Sequence, residues 1–285
     1  MSFQKTVSKV VEFNGVGVHK GEPTVLRVYP APVNTGYQLK RSDLNSKPMP
    51  MLAGRVAATS MATTMGGDGF TVSTIEHALA AANALELDNL IFEVNGPEFP
   101  ILDGSSIMFV EGFEDAGVLT QKQPKNYIVV KEKIEFQEGD KFASIEPYMG
   151  FKIEASIDFS HPAIGKQELS IEINPYNFKT QISKARTFGF LKDVEMLRAR
   201  GLALGGSMEN AIVLDNDQVL NPEGLRFSDE FIRHKILDAV GDIATLGQPI
   251  RGCLKLNKAG HDLMNKLVLT LNQKASSWTE QALVY

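Results

Sequence analysis

The chain has 285 residues, 43% of them hydrophobic and 22% charged, enough to bury a sizeable core; at about 100 to 200 residues per domain, two domains are favoured. A net charge of −5 excludes a generally basic nucleic-acid surface, so any phosphate contact must be local. The single cysteine, Cys253, excludes an intrachain disulfide and reads as a small apolar side chain buried on a strand in a reducing compartment.

Residues Met1 to Val10 alternate polar and apolar types without the continuous apolar run of a signal peptide. No later stretch approaches the roughly 18 apolar residues of a membrane span, so a cytoplasmic protein is expected. Strands are predicted at Gln4–Glu12 and Pro23–Tyr29, separated by a turn at Asn14-Gly15-Val16-Gly17. A helical period runs from Ser73 to Ala84, opened by a Ser73-Thr74 cap, and Asn89–Val94 reads as the next strand. Proline and charge interrupt both periodicities at Thr120–Asn126, which predicts a linker and a boundary near residue 124.

The same order then recurs. Strands are predicted at Tyr127–Phe136, Phe142–Pro147 and Phe151–Phe159, a helix at Asp229–Leu246 and a strand at Arg251–Leu256. Each half thus runs strands, a helix with a histidine near its start, then a strand. The reading is α+β: two similar units, 1–124 and 125–285, each a sheet layer with helices, packed so that the helices face each other. The second half carries an apolar insert at about 191–214, able to line a pocket.

Five histidines are available for chemistry: His19, His77, His161, His234 and His261. In His234-Lys235-Ile236-Leu237-Asp238 a spacing of four puts imidazole and carboxylate on one helix face, about 5 to 6 Å apart at Cβ, where they can grip one ion or simply sit paired on a surface. Glu76-His77 offers a further ligand and a free carboxylate, the remaining needs of hydrolytic zinc. Gly260-His261-Asp262 follows a strand and reads as a loop, its histidine either a general acid or a helix-capping or solvent-facing group. The Gly15–Gly17 pair lacks the third glycine and helix of a dinucleotide fingerprint, Gly205-Gly206-Ser207 lacks the ending of a phosphate loop, and no Gly-x-Ser-x-Gly elbow is present.

In combination and in this order, the chain resembles the UDP-3-O-acyl-N-acetylglucosamine deacetylases, zinc hydrolases of lipid A biosynthesis. The resemblance runs through Gly15–Gly21, Ser73–His77, Pro100-Ile101-Leu102-Asp103-Gly104-Ser105, Asp158–Pro162, Ala185–Phe190, Gly205–Ser207, His234–Asp242 and Lys258–Leu267, nearly the whole length. It implies one Zn²⁺ per chain on His77, His234 and Asp238, although such a donor set also suits Fe²⁺. It further implies Glu76 as base, Thr187 at the oxyanion, and His261 held protonated by Asp242 as the acid. On the substrate side it implies Lys235 and Lys258 at the pyrophosphate and Phe159 and Asp193 near nucleotide and sugar, with His19 also beside the substrate. Leu191, Val194, Ala203, Met208 and Val213 would line the acyl passage. The expected partner is this small-molecule substrate alone, with the chain a monomer. A catalytically silent nucleotide-sugar binder and a zinc amidase acting on another acetylated sugar are the competing readings.

Overall fold

The computed structural model describes residues 2–282, an α+β arrangement around one hydrophobic core. In the first half, Val11–Val16, Pro23–Pro30, Leu90–Val94, Tyr37–Arg41 and Met49–Pro50 form a five-stranded sheet in that order. Its pairs are antiparallel except Tyr37–Arg41 against Leu90–Val94. Alternation along Pro23–Pro30 turns Leu26 and Val28 inward, opposite Val94 and Phe92, so one face of the sheet is sealed and the other wet. In the second half a seven-stranded sheet is built around Ile250–Asn257, which runs antiparallel to Lys141–Glu146 and parallel to Phe151–Asp158. Cys253 lies buried on that central strand, as expected.

The helices are α1 (Glu76–Ala84), α2 (Ile107–Ala116), the single turn α3 (Pro175–Asn177), α4 (Leu191–Ala199), α5 (Glu230–Ile243) and α6 (His261–Gln273). Helix α1 is a run of small residues, Ala78 and Ala80 to Ala82, all buried, which lets another backbone come close. That backbone is α5, which packs on it. Gly241 shows how closely: a Cβ there would lie 2.1 Å from the Glu76 carbonyl oxygen. Asn83 Nδ2 donates to the Val240 carbonyl at 3.0 Å and ties the C-terminal end of α1 to the same stretch of α5. Helix α6 flanks α5, while α2 closes the other side of α1, with Phe109 and Phe113 packed edge-on against Phe13.

Several sequence expectations are corrected. Thr120–Asn126 is no linker: Val118–Pro124 is a strand paired with Phe3–Val7, and Lys125 between it and the Asn126–Val130 strand is buried. Its proline is tolerated because it sits at the end of an edge strand, and its polar residues face outward. Asn14–Val16 belong to a strand, and the turn falls at residues 17–22, closed by Gly17 N–H to Glu22 O and Gly21 N–H to Gly17 O. Gln4–Glu12 divides into Phe3–Val7 and Val11–Val16, and Tyr127–Phe136 into Asn126–Val130 and Ile134–Glu138. The Ser73-Thr74 pair does not cap α1: Ile75 is the N-cap, and no side chain bonds there. Helix α6 begins at His261, where a loop was expected.

Candidate functional site

Helix packing brings the sequence candidates together. His77 lies one residue into α1, and His234 and Asp238 one turn apart on α5. Close approach at Gly241 sets their ligand atoms within 4.8 Å of one another, all three residues being buried. Asp238 Oδ1 stands 3.4 Å from His234 Nε2 and 3.7 Å from His77 Nε2. The Ala185 carbonyl lies 3.1 Å from His234 Nδ1, an arrangement that puts the proton on Nδ1 and leaves the Nε2 lone pair facing the cluster. Burial pushes the His234 pKa down to about 3 against the pull of Asp238, so the imidazole is neutral. Asp238 is held well below the usual carboxylate range, because His234 and Lys235 outweigh the burial that would raise it. Two imidazole nitrogens and a carboxylate oxygen are the donor set a divalent transition metal takes, so the residues fit a metal ion.

A second group adjoins this one. Glu76 is buried, and desolvation raises its pKa despite the opposing charge of His261 and the proximity of His77. Its Oε1 lies 3.9 Å from His261 Nε2. His261 Nδ1 in turn meets Asp242 Oδ2 at 2.8 Å. Burial works against a charged His261, but Asp242, through charge and hydrogen bond, overrides it and lifts the pKa to about 10. Thr63, which no spacing argument singled out, joins the two acids: its N–H donates to Glu76 Oε2 at 3.1 Å and its hydroxyl to Asp242 Oδ1 at 2.6 Å. Only tertiary packing places it there.

The remaining candidates are more scattered. Lys235 Nζ donates to Asp238 Oδ2 at 2.9 Å and lies over the Phe188 ring. Lys258 is held by Asp140 at 3.0 Å and Asp158 at 3.2 Å. Thr187 is two residues beyond Ala185, whose carbonyl meets His234 Nδ1, and its own backbone N–H donates to Gly104 O at 2.8 Å. Phe159 packs among Phe188 and Phe190. His19 lies in the turn at residues 17–22 and is buried there, and its Nδ1 has no partner among the described residues. Helix α4, which carries Leu191, Asp193 and Val194, buries none of its residues. Leu191 and Met208 are about half exposed, Ala203 holds a left-handed φ of 54°, and Val213 sits on the Ile212–Leu214 strand.

An α+β chain that converges two imidazoles and a carboxylate beside a buried glutamate and a His–Asp pair has the layout of a metal-assisted hydrolase. Comparison with known proteins supports a hydrolase and narrows it to a deacetylase. A family model described as LpxC, UDP-3-O-acyl N-acetylglycosamine deacetylase, matches residues 4–273. A UDP-3-O-acyl-N-acetylglucosamine deacetylase of Bdellovibrio bacteriovorus is 48% identical over 279 residues, covering 98% of this chain and 92% of its own. Like-named proteins of Shewanella sp. strain ANA-3 and Shewanella oneidensis are each 46% identical over 282 residues, with the same coverage. The chain belongs to the UDP-3-O-acyl-N-acetylglucosamine deacetylase family.

Proposed function

We propose that this protein hydrolyses the acetamide of UDP-3-O-acyl-N-acetylglucosamine to release acetate, the committed step of lipid A synthesis, with zinc as its metal. The observation that carries the reading is the buried convergence of His77, His234 and Asp238 with Glu76 and the His261–Asp242 pair. His77, His234 and Asp238 would hold the ion, which when bound supplies a Lewis acid for the acetyl carbonyl and makes water acidic enough to attack near neutral pH.

The chain's own groups then divide the proton work. Glu76, with a pKa raised by burial, takes a proton from the attacking water more readily than an ordinary carboxylate would. Charged His261, oriented through Nδ1 by Asp242, presents Nε2 toward Glu76 and gives its proton to the nitrogen as the C–N bond breaks, leaving acetate and an amine. We assign Thr187 to the developing oxyanion. Lys235 and Lys258 are assigned to the pyrophosphate, each exchanging a carboxylate partner for phosphate. Phe159, Asp193 and His19 are assigned to the nucleotide and sugar side. Leu191, Val194, Ala203, Met208 and Val213 take the acyl chain, a use that fits an insert whose helix α4 is unburied. The protein is read as a cytoplasmic monomer.

The test is acetate release from UDP-3-O-(3-hydroxyacyl)-N-acetylglucosamine by purified protein, as isolated, after chelation, and after about one equivalent of zinc is restored. Activity should vanish and return; no acetate in any state overturns the proposal.

A further inference from the structure

Glu98 lies outside the cluster described above and is 2% exposed. Its carboxylate accepts from the His19 backbone N–H at 3.0 and 3.2 Å, from the Lys20 N–H at 2.9 Å and from the Thr74 hydroxyl at 2.8 Å. Successive N–H groups converging on one anion form a backbone nest, filled here from within the chain. Gly17 makes the room: a Cβ at that position would come within 2.2 Å of Glu98 Oε2.

One further segment bonds this carboxylate directly, and another is reached through the loop. Thr74 stands two residues before Glu76 and has a φ of 58°, a costly left-handed conformation for a β-branched residue that its bond to Glu98 helps to hold. On the other side, the carbonyls of Val18 and His19 accept from the N–H groups of Gly205 and Leu204, both at 3.0 Å. The insert abuts the loop so tightly that a Cβ on Gly205 would lie 2.3 Å from Gly17 O. The buried carboxylate therefore bonds two segments directly, the residues leading into α1 and the His19 loop, and the loop's own carbonyls carry the connection on to the inner edge of the insert.

We propose that Glu98 is a positioning residue that registers the insert, through the His19 loop, against the Glu76 end of α1. The substrate side of this inference rests on the proposed function, in which the insert holds the acyl chain; the structural side does not. Both carboxylate oxygens are used, so glutamine cannot substitute. It would keep one acceptor and turn an NH₂ toward a backbone N–H.

Two readouts test the proposal on the full-length protein. In hydrogen exchange, Glu98→Gln should accelerate residues 18–21 and 203–206 together by about tenfold or more, with α5 unchanged. In turnover, kcat/KM for a long 3-O-acyl substrate should fall about tenfold, against less than about threefold for a 3-O-acetyl analogue, at unchanged metal content. Gly17→Ala attacks the same contact from the other side and should produce the same selective loss, and the double variant should lose little more than either single one. Exchange confined to one segment, or equal losses on both substrates with falling metal content, overturns the proposal. If the wild type releases no acetate the proposed function fails, and the exchange data alone decide whether Glu98 holds the two segments together.

Discussion

Adjacent residues on a helix point about 100° apart, so Glu76 and His77 can serve the same centre without competing for the same position. Replacing Glu76 by glutamine keeps its size and should leave zinc bound while acetate release falls by about 10²- to 10⁴-fold. Near-normal turnover would remove Glu76 from the role of base. Asp238→Ala removes the oxygen that both imidazoles face, so zinc content per chain, read by metal analysis after dialysis, should drop toward zero. A variant still holding one tight zinc would contradict the ligand set. His261 gives a pH prediction with a definite sign. Its folded pKa of about 10 exceeds the ordinary 6.5, so the stability it contributes is full below 6.5 and lost as pH rises through about 10. Denaturant melts of the metal-free protein should show that decline between those limits, and Asp242→Asn should flatten it. An unchanged slope in the variant would mean that Asp242 does not hold the charge.

Helices α1 and α5 carry the whole proposed ligand set between them, so the spacing of two elements governs the metal site. Gly241→Ala would drive a Cβ into the Glu76 carbonyl, a backbone atom that cannot swing aside. The expected result is a loss of about 1–3 kcal/mol in denaturant melts together with weaker zinc binding, because His77 moves relative to His234 and Asp238. Gly54→Ala, which meets nothing within 4 Å, is the control and should change neither. Wild-type-like zinc affinity in Gly241→Ala would show that the site tolerates separation of the helices. Both helices were legible in the sequence because their apolar positions recur at three and four, and the spacing of four in His234-Lys235-Ile236-Leu237-Asp238 survives intact in the fold. Other elements were not. The Val118–Pro124 strand hid in a polar, proline-ended stretch because an edge strand buries little of itself. The start of α6 was obscured by Gly260, and Thr63 and Glu98 carry no local signal, since what they bind lies far away in sequence.

At the scale of the molecule, no strand pair among the described residues crosses from 1–124 to 125–285, so we propose that the two halves are distinct sheet units sharing one core and joined mainly through α1 and α5. Lys125 sits at the crossing, 2% exposed, with Nζ 2.9 Å from Asp88 and donating to Glu86 O at 2.8 Å. Asp88 also accepts from the Lys5 N–H at 2.7 Å. Burial raises the Asp88 pKa and lowers that of Lys125, in each case against the pull of the partner, so desolvation outweighs the pairing on both sides. Such a pair fixes geometry more than it adds stability, and its removal should be strongly non-additive. Lys125→Met leaves a buried carboxylate without its cation and should cost about 3–5 kcal/mol. Asp88→Asn should also destabilise, whereas the double variant should recover most of the loss of Lys125→Met in the same denaturant melts. If the losses simply add, the pair acts through two independent contacts, and Lys125 is not what holds the chain at the junction of its halves.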